Sequence, residues 1–405
     1  MIETIVTQQI LAYRLSAHHL LQKLLCSQLT KAAGACGIQN SPPGAWESAM
    51  YARVENCSIE KLQVELYERK TLVQAWSYRG VPVIFPTAQS HQFLTALLPF
   101  DQEPWIYTRG ITLALDYLQL SFDELLAYLK EAILYLDDHT IKSKELLDQV
   151  LAELMYPMLS MDKQPLWIAP SMYGKPNKQT VGGAVVSFLL RPCSFSSLIV
   201  FGQRIDHSPT FTSFDRWIGK LPDSSTSGEQ ALVKAFLHCY GPSKASFLST
   251  WLGCSEQQAN RLWNTVSNDL QAVSVNGDIR YMLKEDMDAL RHAPIDHMPL
   301  MLLGAHDPYL DAKDKELLLE NKKLQRLVWR MVANPNVVLR NGQIIGIWTT
   351  KTQGKKLSVQ LTHWEMLTST EIQRLEELLQ EYAQFKEVTL KDLNISLQSA
   401  IPLPM

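Results

Sequence analysis

Paired cysteines are absent from this sequence. Its 405 residues include six cysteines, but none belongs to a C-x-x-C pair or has a histidine at the spacing of a zinc finger. The pattern predicts neither a disulfide framework nor a metal site, and we expect buried thiols in a reducing cytoplasm. The six are Cys26, Cys36, Cys57, Cys193, Cys239 and Cys254. His18 and His19 are interpreted as mid-helix residues that point to different sides, so they do not share a metal.

Long apolar runs are absent as well. No stretch approaches the roughly 18 uninterrupted apolar residues of a membrane-spanning helix. The N-terminal segment has an early Glu3 and no apolar run before a small-residue cleavage site, so it does not have the pattern of a signal peptide. The sequence therefore predicts a cytoplasmic protein with no membrane partner.

An excess of either charge is missing too. The 38 Lys and Arg residues face 41 Asp and Glu residues, for a formal net charge of -3 at pH 7. This balance excludes a uniformly basic nucleic-acid binder, although it allows a basic face on an acidic body. No phosphate-binding P-loop, dinucleotide fingerprint or nucleophile elbow occurs, so we predict no cofactor.

The composition that is present is globular and largely helical in its periodicity. Hydrophobic residues make up 46% and charged residues 20% of the chain, and its length predicts several domains. We predict an α+β, mainly α, fold of three tandem winged-helix modules followed by a C-terminal β-rich segment. The predicted segments are 1–100, 101–222, 223–295 and 296–405.

The first predicted module contains three amphipathic helices and a hairpin. Apolar residues recur at helical spacing over Thr7 to Leu25, a second helix would start at Pro42 or Pro43 and run to about Arg53, and a third opens at Ser58. Strand-like runs then flank Arg79-Gly80. Three helices followed by a two-stranded ribbon are the pattern of a winged helix.

The same order recurs twice. Residues 101–222 contain "SFDELLAYLKEAI", "SKELLDQVLAELM" and "QTVGGAVVSFLLR", the last weakened as a helix by its two glycines, and then two strand-like runs. Residues 223–295 contain three helices that open with Ser or Pro-Ser, and a hairpin at Asn276-Gly277. In the last segment a capped helix, "TSTEIQRLEELLQEYAQF", should pack on a sheet with a turn at Asn341-Gly342.

A winged helix suits duplex DNA, because its third helix fits the major groove and its wing reaches a neighbouring groove or the backbone. Winged helices also serve as protein-interaction modules, since fold does not fix function. If DNA is bound, its phosphates need Lys and Arg contacts. The candidates are Arg79, Lys175, Lys178, Arg204, Lys244, Arg261, Lys355 and Lys356.

Five motifs together resemble a known family. In order they are "GIQNSPPGAWESAMYARV", "LVQAWSYRGVPVIF", "LVKAFLHCYGPSKASFLSTWLG", "LLGAHDPYL" and "VVLRNGQIIGIW". They resemble the winged-helix DNA glycosylases of the bacterial AlkZ/YcaQ-like family, over about residues 8 to 387. The resemblance implies double-stranded DNA as the partner, a concave channel of DNA size, and excision of ring-alkylated purines or unhooking of interstrand crosslinks.

The resemblance also implies a catalytic motif. The family carries Gln-x-Gln or Gln-x-Asp immediately before a Pro-led helix, which corresponds to Gln39, Asn40 and Ser41 in this chain. A ring-alkylated purine is cationic and leaves without a strong general acid. What remains is to stabilise an oxocarbenium-like sugar and to position a water, which amide side chains can do. Gln39 and Ser41 are therefore the candidate catalytic residues.

Two departures from the family pattern bear on activity. Ser41 is shorter than Gln and cannot act as a base as Asp can. The wing pattern Arg-Gly-Thr-x-His is replaced by Arg79-Gly80-Val81-Pro82-Val83, which lacks the hydroxyl and the imidazole. Two alternatives therefore stay open: a catalytically silent DNA-binding protein, and a protein-interaction scaffold. His306 to Leu310 match a further family motif, in which Asp307 before proline is interpreted as a turn former.

Overall fold

The computed structural model describes residues 2–174, 178–221 and 227–398. The chain divides into two compact units. The first unit contains Met1–Val64, Lys234–Phe247 and Val266–Met405, and the second contains Glu65–Val233 and Leu248–Thr265. The first unit thus holds parts of the predicted first, third and fourth segments. The four-segment division itself remains a prediction.

Most of the described residues that are in regular structure are helical. The α-helices are α1 Thr7–Ala17, α2 Leu29–Gly34, α3 Ala45–Arg53, α4 Ile59–Gln63, α5 Ser90–Phe93, α6 Thr112–Leu118, α7 Phe122–Ala132, α8 Lys144–Met155, α9 Gln164–Trp167, α10 Val181–Phe195, α11 Phe214–Trp217, α12 Gly228–Tyr240, α13 Ala245–Leu252, α14 Glu256–Asn264, α15 Met287–Arg291, α16 Lys315–Leu318, α17 Lys322–Val328 and α18 Ser369–Phe385.

The strands are short except near the C-terminus. They are β1 Glu3–Thr4, β2 Ile38–Gln39, β3 Leu72–Trp76, β4 Pro82–Pro86, β5 Ile141–Lys142, β6 Val200–Ile205, β7 Ser208–Thr212, β8 Leu270–Val275, β9 Asp278–Leu283, β10 Met301–Leu303, β11 Asn336–Arg340, β12 Gln343–Gln353, β13 Lys356–His363 and β14 Thr389–Leu397. In the first unit they form two sheets, β1-β8-β9 and β10-β11-β12-β13-β14. In the second unit the order is β4-β3-β6-β7-β5. The α+β, mainly helical class is confirmed.

Two helix boundaries in the first segment were predicted wrongly. Helix α1 ends at Ala17, not near Leu25, because His19 adopts a left-handed φ of 56°. His18 is therefore the residue that ends the helix, not a mid-helix residue. Helix α3 begins at Ala45, not at Pro42 or Pro43, because Gly44 adopts a φ of 90°, which is outside the helical region. The third predicted helix corresponds to α4 and begins at Ser58 as predicted, where the Ser58 side chain accepts a hydrogen bond from the Lys61 backbone amide.

In the second unit, α10 forms in spite of its two glycines. A β-carbon on Gly182 would lie 2.3 Å from Cε2 of Trp167 in α9, so glycine is required for the two helices to approach. The N-terminus of α10 is also capped, because the Thr180 side chain accepts a hydrogen bond from the Gly183 backbone amide. Apolar residues of α7, α8 and α10 then form the core of this unit.

The predicted hairpins and the C-terminal sheet are present. Asn276 and Gly277 both have positive φ, 52° and 79°, as a two-residue hairpin of β8 and β9 requires. Helix α18 begins with a capping box between Thr368 and Glu371, and its apolar face packs on the C-terminal sheet as predicted. Among the residues that the structure describes, no helix is both long and apolar enough to cross a membrane.

Candidate active site around Gln39

The Gln39-Asn40-Ser41 motif spans the end of β2 and the start of the loop that leads to α3, in the first unit. Asn40 is 6% exposed, and its Oδ1 accepts a hydrogen bond from the backbone amide of Gly44 at 2.8 Å. This contact closes the turn that contains the two prolines. The middle residue of the motif therefore shapes the loop, and the loop determines where its neighbours point.

The side-chain amide of Gln39 is anchored through its nitrogen. Nε2 of Gln39 donates to the backbone oxygen of Ser41 at 2.9 Å and lies 3.4 Å from Nδ1 of His306. Because an amide nitrogen can only donate, Nδ1 of a neutral His306 accepts, and the imidazole proton is then on Nε2. Gln39 is half-buried, and these two contacts hold the plane of its side-chain amide.

A buried ion pair holds His306 beside Gln39. Arg53, the last residue of α3, donates from Nη1 and Nη2 to the two carboxylate oxygens of Asp307, both at 2.7 Å. Both side chains are almost fully buried, at 1% and 0% exposed. Burial alone would lower the pKa of Arg53, but the Asp307 carboxylate outweighs it and raises that pKa. The pair fixes the start of the His306–Leu310 turn against α3.

The pairing of Asp307 with Arg53 is not predicted from the sequence. Asp307 does form the predicted turn, since its Oδ1 accepts a hydrogen bond from the backbone amide of Tyr309 at 3.0 Å. The same carboxylate also binds Arg53, which lies 254 positions earlier. The available signal was the motif match at His306 to Leu310, which was interpreted as structural only.

Ser41 lies in the loop but takes part through its backbone. Its carbonyl oxygen accepts the hydrogen bond from Gln39 Nε2, and the residue is half-buried. Any residue at this position could supply that carbonyl. A catalytic role of the Ser41 hydroxyl therefore remains a prediction.

Two of the residues predicted to contact DNA form ion pairs with carboxylates of this chain. Lys244 pairs with Asp278. Arg261 pairs with Glu103 at 2.8 Å and with Glu229 at 2.6 Å. The hydrogen bonds to Glu103 raise the pKa of Arg261 above its usual value. Contact with a phosphate would have to compete with these acidic partners.

The other predicted cations differ in exposure. Lys178, Lys355 and Lys356 are exposed, and the last two are adjacent at the β12–β13 turn. Arg79, at the β3–β4 turn, donates to the backbone oxygen of Trp251 at 3.1 Å. Arg204 is half-buried and donates to the backbone oxygen of His207. Lys175 lies outside the described residues.

Three side chains close to the Gln39 segment have donor atoms of the kind that bind metals. His18, Cys36 and Cys239 are buried, and one donor atom from each lies within 4.8 Å of the others. Cys36 precedes Gln39 by three positions and lies two positions before the start of β2. Because these residues come from three distant parts of the chain, their spacing in the sequence gave no metal-site pattern.

The fold is that of a class of DNA glycosylases. The sequence model described as "DNA glycosylase AlkZ-like" matches residues 32–385. The chain therefore belongs to the AlkZ-like DNA glycosylase family. The solved structure of the Streptomyces sahachiroi DNA glycosylase AlkZ is similar with a TM-score of 0.73 at 18% identity, over 97% of this chain and 100% of that one. At this identity the likeness shows a shared fold. No curated protein matches the chain.

Proposed function

We propose that this protein hydrolyses the N-glycosidic bond of ring-alkylated purines in duplex DNA. The observation that carries the proposal is the anchored amide of Gln39, held through its nitrogen by the Ser41 carbonyl and by His306. Membership of the AlkZ-like DNA glycosylase family supports the reaction class. Unhooking of interstrand crosslinks uses the same bond cleavage and belongs to the same proposal.

Cleavage of this bond needs no strong general acid. The positive charge of an alkylated purine is neutralised when the base leaves with the electrons of the C1′–N bond. The oxygen of a water then bonds to C1′ of the oxocarbenium-like sugar, and one water proton is released to solvent. Gln39 contributes by position: with its nitrogen anchored, the carbonyl oxygen accepts a hydrogen bond from that water and holds its lone pair toward C1′.

Ser41 has the smaller role in this proposal. Its hydroxyl is too short to share the water directly with Gln39, whereas its carbonyl oxygen holds the Gln39 amide. Loss of correct orientation costs on the order of 10²-fold in rate. We therefore expect a slow enzyme, which a Gln or Asp side chain at this position would accelerate.

The test is base excision from a defined duplex. A duplex with a single N7-methylated guanine is incubated with protein, and abasic sites are measured as alkali-labile strand breaks. Gln39→Ala should lose excision, by about 10²-fold or more. Ser41→Gln and Ser41→Asp should raise the rate, and His306→Ala should lower it less than Gln39→Ala. Asn321→Ala, which removes a helix cap far along the chain, is the control and should leave excision unchanged.

Two results would contradict the assignment. Full excision by Gln39→Ala would show that the water is held elsewhere. If neither the wild-type protein nor the two Ser41 variants excise the base, the protein is the catalytically silent DNA binder. The observation that favours this second candidate is Ser41 itself, in place of the family Gln or Asp.

DNA binding is tested separately, through its dependence on salt. The Lys355→Ala/Lys356→Ala double variant should bind an undamaged duplex more weakly and reduce the salt slope by roughly two, since each phosphate contact releases about one counterion. Lys244→Ala is the matched control, because Asp278 already compensates this charge, and its slope should stay close to wild type. Absence of any salt-dependent binding would favour the protein-interaction scaffold.

A further inference from the structure

His18, Cys36 and Cys239 form a buried cluster beside the Gln39 segment. Their exposures are 1%, 2% and 0%. Cys36 Sγ lies 4.0 Å from His18 Nδ1, and the donor atoms of all three residues lie within 4.8 Å of one another. His18 follows α1, Cys36 precedes β2 and Cys239 is in α12, so the cluster joins three separate segments of the first unit.

The hydrogen bonds of the cluster leave its imidazole poorly satisfied. Nε2 of His18 is buried and makes no hydrogen bond. Nδ1 has only the distant sulfur of Cys36 at 4.0 Å. An ion between Nδ1 and the sulfur would replace this long contact, and the imidazole proton would then be on Nε2. The two neighbouring rings, Tyr240 and Tyr309, contact the imidazole edge to face.

The distances suit a thiophilic metal. Bonds of about 2.3 Å to sulfur and about 2.0–2.1 Å to nitrogen put the nitrogen and sulfur of a three-ligand site roughly 3.5–3.8 Å apart. The observed 4.0 Å between His18 Nδ1 and Cys36 Sγ needs only a small contraction. The hydroxyl of Tyr240 lies 3.6 Å from Cys36 Sγ and donates to the backbone oxygen of Pro308 at 2.8 Å.

The charges suit a divalent ion. Two thiolates and one divalent cation sum to zero, so the loaded site would be neutral inside the protein. Zinc binds thiolates and neutral imidazole, so binding at these three residues would displace the protons of the two thiols.

We propose that His18, Cys36 and Cys239 bind one zinc ion, and that the ion fixes the segment that leads into Gln39. Binding forms two Zn–S bonds and one Zn–N bond, and the protons of the two thiols are released to solvent. The cysteine spacing in the sequence does not predict this site, because the three ligands meet only in the folded chain. The proposal does not depend on DNA binding or on base excision.

The first experiment measures zinc in the untagged full chain. Protein purified under reducing conditions from zinc-supplemented cells should contain about one zinc per chain. The Cys36→Ser/Cys239→Ser double variant should contain almost none, with an affinity lower by more than about 100-fold, because loss even of a ligand's outer partners costs ~10–100-fold. Cys193→Ser is the matched control, since Cys193 is equally buried but lies in the second unit, and it should keep its zinc.

A second experiment does not depend on any variant folding. Wild-type protein titrated with Co²⁺ should develop the near-ultraviolet charge-transfer absorption of thiolate-bound cobalt, and Zn²⁺ should displace it. Calorimetric titration with Zn²⁺ in buffers of different ionisation enthalpy should show release of about two protons per ion. Wild-type protein without zinc and without the thiolate–cobalt band would overturn the proposal, as would zinc that persists in the double variant.

Discussion

The core of the second unit and the surroundings of Gln39 in the first are held together differently. The second core consists of apolar residues of α7, α8 and α10, such as Leu129, Leu151 and Leu189, all without measurable exposure. Beside that core, Lys144 and Asp148 form an ion pair one helical turn apart. In the first unit, ion pairs with both side chains buried join residues that are far apart in the sequence, whereas the long-range pair of Arg261 and Glu103 in the second unit leaves the arginine 25% exposed.

Two buried ion pairs in the first unit join distant parts of the chain. Arg53 binds Asp307 across 254 positions, and Arg14 binds Asp314 across 300 positions with contacts of 2.8 and 2.9 Å. Their side chains are at most 2% exposed. Asp314 also pairs with the buried Arg280, whereas removing Arg53 would leave the Asp307 carboxylate uncompensated inside the protein. These contacts therefore specify the arrangement even where their net contribution to stability is small. Apolar packing tolerates change better than these charged contacts do.

The largest effect is expected from breaking the pair beside Gln39. Arg53→Met leaves the buried Asp307 carboxylate without its partner and should lower the free energy of unfolding by about 3–5 kcal/mol. The midpoint of urea unfolding measures this change. The Arg53→Met/Asp307→Leu double variant should recover part of the loss, because it no longer buries a charge.

An exposed ion pair in the same unit is the control for Arg53. Arg374 contacts Glu377 and Glu381, and all three side chains are nearly half exposed. Arg374→Ala should change the free energy of unfolding by no more than about 1 kcal/mol. If Arg53→Met shifts the midpoint no further than Arg374→Ala, the buried pair does not hold the site.

A smaller effect is expected from two adjacent glycines in the second unit. The β-carbon of Gly182→Ala would meet the ring of Trp167, which cannot move freely because its Nε1 donates to the Ala152 carbonyl oxygen at 2.9 Å. Overpacking of this kind lowers the free energy of unfolding by about 1–3 kcal/mol. Chemical denaturation with tryptophan fluorescence measures it.

Gly183 provides the matched comparison. Its added β-carbon would lie 3.1 Å from Cγ of Gln179, and a shift of a few tenths of an ångström in this side chain, which is held by a 3.3 Å hydrogen bond to Asp148, relieves that contact. Gly183→Ala should therefore raise the free energy of unfolding by up to about 1 kcal/mol, through helix propensity. Equal destabilisation by both alanines would mean that helix α9 does not restrict α10 at Gly182.

The smallest effect is a pH dependence in the first unit. Nδ1 of His238 lies 3.0 Å from Asp286 Oδ2, and this hydrogen bond, opposed by burial, raises the pKa of His238. A raised folded-state pKa gives stability that is fully present below the unfolded value of about 6.5 and is lost as pH rises through the folded value. The stability difference between wild type and His238→Gln should shrink over that window. A difference that is constant or grows with pH would contradict this assignment.

The sequence predicted most where structure depends on local pattern. Helices α7, α8 and α14, the hairpins at Asn276-Gly277 and Asn341-Gly342, and the capped helix α18 are confirmed, because periodicity and turn chemistry act over a few residues. The two helix boundaries predicted near Leu25 and at Pro42 were wrong because residues with positive φ lie between the predicted and the observed boundaries. There, His19 and Gly44 end or delay a helix that the apolar pattern would continue.

The site shows the limit of that local information. By itself, the sequence determined the class of fold, the family resemblance and Gln39 as the residue to examine. Only the tertiary structure brought His306 to Gln39, paired Arg53 with Asp307, gathered His18, Cys36 and Cys239, and neutralised Lys244 and Arg261 with acidic partners. The physical reason is distance along the chain: a side chain's charge, hydrogen bonds and metal ligands are set by neighbours in space, and these come from segments up to about 300 positions away.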